Sequence, residues 1–228
     1  MTSDRVITTR KRRRRTQSGA VLSAELITET AMRLIEEHGA DALSARRLGI
    51  ALGADPTALY RYFTNTDDLL HAVADALIGQ SLDGFARTGD WLADLRELAN
   101  RMYRTNLAHP RVAVLAAARV TRRPNEARGI ETILDLLRSA GFADRDAVRY
   151  YHAFVDVVLS FSALDASALG LDDAVRAADH QSWQRIYAHL EGHPNIARNA
   201  AYLIETMPDS SFPTAIDLFL NALAISAR

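Results

Sequence analysis

The sequence contains no cysteine. This absence excludes a disulfide framework and any metal site built on thiolates. There is also no uninterrupted apolar run near the roughly 18 residues that a membrane-spanning helix needs. The residues that follow the basic start, Thr16 to Ala20, do not form the apolar segment of a secretory signal peptide. We therefore expect a cytoplasmic protein with no membrane partner.

Positive charge is concentrated at the start of the chain. The formal net charge of the whole chain is −1, which taken alone argues against a nucleic-acid partner. The first 20 residues nevertheless hold one acidic residue, Asp4, and seven basic ones: Arg5, Arg10, Lys11, Arg12, Arg13, Arg14 and Arg15. Such a run is typical of an arm that binds nucleic acid, of a solvated tail or of a sorting signal. Because these residues have little apolar content, residues 1–20 are predicted to be a basic disordered arm.

The stretch 43–63 predicts two short helices joined by a tight turn. Ser44 can cap the first helix, since its hydroxyl can accept a free backbone N–H of the first turn. Gly53 predicts the end of that helix, and Asp55 followed by Pro56 predicts the start of the next. Helix, glycine-containing turn and helix together are typical of a helix-turn-helix that enters the DNA major groove. The alternative is that any small helical domain contains such a turn.

The second helix of this motif has a predicted apolar side and a predicted outward side. The apolar side comprises Leu59, Tyr60 and Phe63, and the outward side comprises Thr57, Ala58, Arg61 and Tyr62. We expect Tyr60 to belong to the core more than to a contact surface. The outward side chains are then the candidates for DNA contacts.

The remainder of the chain also predicts helices, and no strand pattern is evident. With 48% hydrophobic residues, the chain can form a sizeable core. The fold class is therefore predicted to be all-α, with a three-helix helix-turn-helix domain over residues 21–80. A larger helical domain is predicted over residues 81–228, and it includes a long helix at about 144–168 and a last helix at about 213–227. Asn65 or Thr66 is expected to cap the helix after the motif, and Asn125 a later one.

Several of these motifs resemble the tetracycline-repressor (TetR) family of transcriptional regulators. The residues that carry the resemblance are Ala42-Leu43-Ser44-Ala45-Arg46-Arg47-Leu48, Leu52-Gly53, Ala58-Leu59-Tyr60-Arg61-Tyr62-Phe63, and Asn65 with Asp67-Asp68-Leu69-Leu70. A weaker similarity to the C-terminal domain of tetracycline repressors includes Thr121-Arg122-Arg123-Pro124-Asn125-Glu126 and Gly141-Phe142. The resemblance implies a DNA-binding domain followed by a domain for ligand binding and dimerisation.

The resemblance assigns roles at double-stranded operator DNA. Arg46 corresponds to a position that reaches a guanine edge, and bidentate arginine–guanine contacts are worth about 1–3 kcal/mol. Arg61 and Ala58 are the next candidate base readers, Ala58 through a thymine methyl. Thr57, Tyr60 and Tyr62 offer hydroxyls for phosphate contacts, and Arg47 either touches phosphate or only solvates its helix. Ser44 and Thr66 are the other candidate DNA-binding residues. Many relatives carry a lysine where this chain has Thr66.

The resemblance also implies a homodimer and a small-molecule effector of unknown identity. The dimer interface is expected on the long helix and the last helix, where Ser160, Ser162, Ala163, Ala166, Ala168, Ala215, Ala222 and Ala224 permit close approach; the alternative is that these faces bury against their own subunit. Candidate effector-binding residues are Trp91, Met102, Tyr103, His109, Tyr151, His152, Phe154, Asp156, Trp183 and Tyr187. Asp156 lies among valines, where a buried carboxylate would need a partner.

No metal or cofactor is expected. The histidine that ligates magnesium in tetracycline repressors aligns with Arg119, and arginine has no lone pair to donate. His189 and His193 have a ligand spacing, but Gly192 and Pro194 are expected to break the helix between them. Ser162, His152 and Asp156 form a nominal nucleophile, base and carboxylate, yet no loop positions them for catalysis.

The function predicted from the sequence is a ligand-responsive transcriptional regulator. It is expected to repress by binding a palindromic operator as a homodimer and to be released by its effector. The alternatives are an architectural DNA-binding protein or an activator, without small-molecule release. An enzyme is not expected, and no catalytic residue is proposed.

Overall fold

The computed structural model describes residues 21–189 and 192–227, and these residues form an all-α fold with no β-strand. The α-helices are α1 Ala24–His38, α2 Ala45–Leu52, α3 Thr66–Leu82, α4 Trp91–Ala108, α5 Pro110–Ala116, α6 Pro124–Ser139, α7 Asp144–Leu169, α8 Asp173–His189, α9 Pro194–Thr206 and α10 Phe212–Ser226. Two short 3-10 helices, Ala40–Ala42 and Pro56–Arg61, precede and follow α2. The predicted fold class is confirmed. The predicted arm, residues 1–20, lies outside the described residues.

The first of two compact units ends at Leu69. Its core includes Ile27 and Ile35 of α1, which are fully buried, together with Leu48 and Leu59. Ser23 starts α1, because its Oγ accepts the backbone N–H of the third residue that follows, at 3.2 Å. The apolar spacing of these short segments therefore produces a small core beneath the helix-turn-helix.

The second unit begins at Leu70 and contains the remaining helices. Helix α7 lies at its centre and packs against α4, α5, α6 and α10. The core of this unit includes Leu95, Leu136, Phe154 and Leu220, none of which exposes any surface. Helices α8 and α9 pack against each other, and no residue of α9 is buried.

Contacts divide the chain within α3 rather than at residue 80, where the sequence placed the domain boundary. The reason is that later turns of α3 are bonded to α6. Asp75 accepts the backbone N–H of Glu126 at 2.9 Å, and Arg128 donates to the Gly79 carbonyl at 3.2 Å. The division into a DNA-binding domain, residues 21–80, and an effector-binding domain, residues 81–228, is based on function and stays a prediction.

The helix ends agree with most of the predicted signals, with two differences. The second helix of the motif is a 3-10 helix of six residues, Pro56–Arg61. Asn125 does not cap α6, whose first residue is Pro124 and whose N-cap is Arg123. The Asn125 side chain instead donates to the Asp75 carboxylate at 3.0 Å.

Helix α7 is long and apolar enough to cross a membrane when judged by length and composition alone. No apolar run of that length was expected from the sequence, because charged residues such as Asp156 and Asp165 interrupt this helix. The contacts of α7 with four other helices are those of a helix inside a helical domain.

The two helical segments of the motif approach closely at Gly49. A Cβ atom added to Gly49 would lie 2.9 Å from the Ala54 carbonyl oxygen and 2.9 Å from Pro56 Cγ. A backbone oxygen and a proline ring have little freedom to move away. Only glycine therefore fits at this position of α2.

Gly49→Ala should lower the free energy of unfolding by about 1–3 kcal/mol, because the added methyl overpacks this contact. Gly129→Ala is the matched control, since it also lies within a helix but its Cβ would be 3.6 Å from Ile78 Cγ2. The control should be neutral or slightly stabilising. Urea unfolding followed by circular dichroism measures both. A Gly49→Ala protein as stable as the Gly129→Ala protein would contradict the packing argument.

Candidate functional site

The helix-turn-helix consists of α2 and the 3-10 helix Pro56–Arg61, called the recognition helix below. Ser44 caps α2, since its Oγ accepts the backbone N–H three residues further on at 3.3 Å. Gly53 ends α2 in the left-handed conformation, with φ 58° and ψ 39°. Asp55 Oδ1 accepts the Thr57 backbone N–H at 2.8 Å and so starts the recognition helix. These three predicted end signals are confirmed.

Most side chains predicted to contact DNA lie on the surface of this motif. Ser44 is half-buried, and the exposed ones are Arg46, Arg47, Thr57, Tyr60, Arg61, Tyr62 and Thr66. Exposure is the first requirement for a DNA contact. These residues come from α2, the recognition helix and the first turn of α3.

The structure reverses the predicted surroundings of two neighbouring residues. Tyr60, expected in the core, is 61% exposed, whereas Ala58, expected to meet a thymine methyl, is 3% exposed. The cause is the period of a 3-10 helix, which has about three residues per turn and so places Tyr60 above the exposed Thr57. A methyl group with so little exposed surface cannot contact a base, and the prediction for Ala58 is wrong.

Two of the hydroxyls expected to bind phosphate already donate within the protein. Thr57 Oγ1 donates to Asp55 Oδ1 at 2.7 Å, and Tyr62 Oη donates to the Leu22 carbonyl at 2.6 Å. Because a hydroxyl has a single hydrogen, neither group donates to phosphate in this conformation. The exposed Tyr60 remains a candidate donor.

The first turn of α3 is held by a reciprocal pair of side-chain caps. Asn65 Oδ1 accepts the Asp68 backbone N–H at 2.8 Å, and Asp68 Oδ2 accepts the Thr64 backbone N–H at 2.8 Å. Of the two predicted caps, Asn65 is the one observed. This arrangement fixes Thr66 at the exposed start of α3.

An exposed isoleucine on α2 was missed by the sequence analysis. Ile50 is 73% exposed and lines a shallow groove with Leu34, His38, Asp41, Arg47 and Ala51. The available signal was its spacing of two residues from both Leu48 and Leu52, which places it on the opposite side of the helix.

The residues predicted to bind an effector lie in the second unit, and several of them surround one core. Trp91 makes an edge contact with Phe142 at 6.1 Å between ring centroids, and Trp183 lies on α8 beside Tyr187 at 5.1 Å. His109 lies between α4 and α5, and Met102 packs against the buried core. Phe154 is fully buried. Trp91, Met102, Tyr103 and Tyr151 pack around the core that includes Phe154, whereas Trp183 and Tyr187 lie on α8.

Tyr103 and Asp165 form a polar contact between α4 and α7. Tyr103 Oη donates to Asp165 Oδ2 at 2.6 Å, and Ser210 Oγ donates to the same oxygen at 2.5 Å. The Tyr103 ring stacks on Phe212 with centroids 4.0 Å apart. Burial, together with the bond to Asp165, raises the pKa of Tyr103. The phenol therefore stays protonated and donates.

Two predicted effector residues, His152 and Asp156, are exposed on α7 rather than buried. They share one side of the helix because they are four residues apart, and the buried side carries Phe154 and Val158. The expectation of a buried carboxylate at Asp156 is therefore wrong. Tyr151 is half-buried, and burial first, then the charges of Glu126 and Asp156, raises the pKa of its hydroxyl.

The nominal catalytic group is not assembled. Ser162 is 1% exposed and donates its hydroxyl to the Val158 carbonyl at 2.7 Å. His152 and Asp156 lie on the exposed side of the same helix. Among the described residues there is no group of three or more His, Asp and Glu side chains that could hold a metal ion.

A buried carboxylate on α3 holds the start of α6, a contact that sequence reasoning missed. Asp75 is 6% exposed and accepts from Thr121 Oγ1 at 3.2 Å in addition to Asn125 Nδ2 and the Glu126 N–H. These donors include part of the N-terminus of a helix, where negative charge is favourable. We call this group, Asp75 with Thr121, Asn125 and Glu126, the α3–α6 latch.

The loop before α6 is held in an unusual backbone conformation. Arg122 has φ 58°, a value that favours glycine. The Glu126 carboxylate accepts the Arg122 backbone N–H at 2.7 Å and the Thr121 N–H at 3.2 Å. Two bonds from one side chain thus stabilise the strained residue.

The fold and the exposed helix-turn-helix define a DNA-binding class of protein, and the comparisons name the family. Residues 27–73 match the family model "Bacterial regulatory proteins, tetR family", and residues 85–225 match "Tetracyclin repressor-like, C-terminal domain". The second match alone covers more than half of the chain. The protein therefore belongs to the TetR family of bacterial regulatory proteins.

The relatives are between about a quarter and a third identical to this chain over the aligned residues. The HTH-type transcriptional repressor Rv1353c of Mycobacterium tuberculosis is 32% identical over 152 residues, which are 64% of this chain and 58% of that protein. The class C tetracycline repressor of Escherichia coli is 27% identical over 89% of this chain and 90% of its own. The Streptomyces coelicolor protein ActR, solved in complex with actinorhodin, has a TM-score of 0.78 at 26% identity, covering 91% and 99% of the two chains.

Asp75→Ala should lower the free energy of unfolding by about 2–3 kcal/mol, because the donors of the α3–α6 latch lose their buried acceptor. Asp83→Ala is the control, since Asp83 is exposed and pairs with Arg128 at 3.2 Å. Exposed ion pairs contribute at most about 1 kcal/mol. Equal effects of the two substitutions in denaturant unfolding would show that the latch does not stabilise the fold.

Proposed function

We propose that this protein is a transcriptional repressor that binds a palindromic operator as a homodimer and is released by a small-molecule effector. The observation that carries the proposal is the capped helix-turn-helix that exposes Arg46, Tyr60 and Arg61. One recognition helix reads too few base pairs for operator specificity, so two copies related by a two-fold axis are needed. Residues 21–80 are assigned to DNA binding and residues 81–228 to effector binding and dimerisation.

The relatives support the repressor and effector parts of the proposal. Rv1353c is named a transcriptional repressor, and ActR was solved with actinorhodin bound. A protein that binds chromosomal DNA acts in the cytoplasm of a bacterium, and we propose that location. Arg119 is exposed and is not a metal ligand, so the proposed effector is not a magnesium–tetracycline complex.

The exposed apolar side chains of α7 and α10 support a dimer interface on these two helices. Leu164 is 66%, Leu218 is 67% and Ile225 is 72% exposed in the single chain. Exposed leucines and isoleucines on two neighbouring helices are typical of an interaction surface. Of the small residues predicted there, Ser162 and Ala166 are buried within their own chain, whereas Ser160, Ala168 and Ala222 are exposed.

The α3–α6 latch supports a route for the effector response. Helix α3 begins at Thr66, directly after the helix-turn-helix, and Asp75 on the same helix is bonded to the start of α6. If α6 can take two positions, an effector that binds one of them more tightly shifts the equilibrium towards that position. Because the latch bonds α6 to α3, α3 would move with α6, and the effector and DNA would affect each other's binding by the same coupling free energy. The proposed effector residues on α4 and α7 lie in the same compact unit as α6.

Arg46→Ala should weaken binding to the operator about 10- to 100-fold, since one bidentate guanine contact is lost. The probe is DNA from upstream of the protein's own gene, compared with a scrambled duplex in an electrophoretic shift across a salt series. Arg33→Ala is the matched control, because Arg33 is exposed on α1 and pairs with Glu37. If the wild type binds both duplexes equally, operator recognition is wrong and an architectural role is favoured.

Leu218→Glu should shift the protein from dimer towards monomer in sedimentation velocity, because a carboxylate would be desolvated in the apolar interface. Val120→Glu is the control, since Val120 is 65% exposed but lies outside α7 and α10. It should leave the dimer intact. A monomeric wild type, or an unchanged Leu218→Glu dimer, would contradict the proposed interface.

A further inference from the structure

Two hydroxyl side chains lie on the same exposed side of the recognition helix. Thr57 and Tyr60 are three residues apart, which is one turn of a 3-10 helix, and both are exposed. Ala58 and Leu59, which lie between them in the sequence, are buried. In helix-turn-helix proteins the side chains early in the recognition helix lie against base edges in the major groove. Thr57 holds such a position.

The hydrogen of the Thr57 hydroxyl is already used within the helix. Thr57 Oγ1 donates it to Asp55 Oδ1 at 2.7 Å, and the Thr57 backbone N–H donates to the same carboxylate oxygen at 2.8 Å. Hydrogen bonds to a carboxylate are about twice as strong as those between neutral groups. The bond fixes the position of Oγ1, and because threonine is branched at Cβ it also fixes the side-chain methyl group.

The bond to Asp55 decides which DNA group the Thr57 hydroxyl can meet. A hydroxyl has one hydrogen and two lone pairs, so Oγ1 can offer only lone pairs to DNA. Phosphate oxygens, guanine O6 and N7, and thymine O4 are also acceptors, and the negative charge of Asp55 lies beside Oγ1. The major-groove groups that donate are the exocyclic amino groups of adenine and cytosine. An amino group is therefore the partner that fits.

Tyr60 provides a contrast on the same side of the helix. It is 61% exposed and is the candidate donor to a phosphate oxygen. Phosphate contacts position a protein on the duplex but carry no sequence information. A hydroxyl restricted to accepting, such as that of Thr57, does distinguish between base pairs.

We propose that Thr57 is a specificity-determining residue, whose Oγ1 accepts a hydrogen bond from the exocyclic amino group of an adenine or cytosine in the major groove. Asp55 is the positioning residue, since it takes the hydroxyl hydrogen and orients the side chain. In a homodimer the same contact forms once in each half-site. This inference rests on the proposed operator binding.

The test removes single amino groups from the DNA. The probe is the duplex from upstream of the protein's own gene, with its half-sites located by footprinting. Purine replaces adenine, and pyrimidin-2-one replaces cytosine, at one position at a time in both half-sites, and fluorescence anisotropy measures binding of the full chain. One hydrogen bond contributes about threefold to tenfold, so at one position the wild type should bind about 10- to 100-fold more weakly.

Thr57→Val has the same shape and keeps the methyl group but lacks the oxygen. It should bind the unmodified duplex more weakly and lose its sensitivity to the amino group at that one position, so that the two changes together cost no more than either alone. Weaker pairing of the modified base cancels, because both proteins meet the same duplex. Thr57→Ser retains the oxygen and should retain the sensitivity, whereas Thr57→Ala should lose it.

Tyr60→Phe is the matched control, since it removes a hydroxyl from the same side of the same helix. It should weaken binding to all the duplexes by a similar factor and leave the sensitivity to the amino group unchanged. A merely structural role of Thr57 would give this same uniform loss in Thr57→Val.

Two results would overturn the proposal: a wild type that responds to no amino group, or a Thr57→Val protein that keeps the full response. If the wild type distinguishes its upstream duplex from a scrambled one but either result is found, operator recognition stands and only the role of Thr57 fails. If the wild type does not distinguish the two duplexes, the proposed function and this inference fail together.

Discussion

The close approach of α2 to the recognition helix is the constraint on which the DNA-facing surface depends. At Gly49 there is no room for a Cβ atom beside the Ala54 carbonyl and the Pro56 ring. The recognition helix packs closely against α2 and has about three residues per turn. Ala58 and Leu59 are therefore both buried. Tyr60 is then turned outward. The packing of two short segments thus decides which side chains can reach a base pair.

The second unit uses a buried carboxylate in a comparable way. The first backbone N–H groups of α6 have no acceptor within their own helix. Asp75 accepts the N–H of Glu126 and so bonds α6 to α3. A buried carboxylate is stable only when donors surround it, and here those donors come from the Thr121 hydroxyl, the Asn125 amide and the backbone. The strained Arg122 lies in the same loop. This loop joins α5 to α6, and the hydrogen bonds of Asp75 and Glu126 hold it against α3.

Charge and apolar surface are divided between different parts of this TetR-family chain. Residues 21–69 have four arginines against eight carboxylates, whereas residues 1–20 have seven basic residues against one acidic residue. The second unit exposes leucine and isoleucine along α7 and α10. Electrostatic attraction acts at long range and does not require the two surfaces to fit. Burial of apolar surface requires a partner surface that fits closely. In the proposed repressor, this separation lets DNA attraction and subunit association change independently.

The sequence by itself determined the all-α class, most helix ends and the helix-turn-helix, because caps such as Ser44, Gly53 and Asp55 act on the adjacent backbone. Apolar spacing identified Arg61 as a surface candidate, and the resemblance to the TetR family identified Arg46. Only the tertiary structure decided that Ala58 is buried, that Tyr62 bonds to Leu22 and that Asp75 holds α6. It also showed His152 and Asp156 to be exposed. The hydrogen bonds join residues that are far apart in the chain, and the burial of Ala58 depends on the three-residue period of a 3-10 helix. Apolar spacing in the sequence reveals neither long-range contacts nor that period.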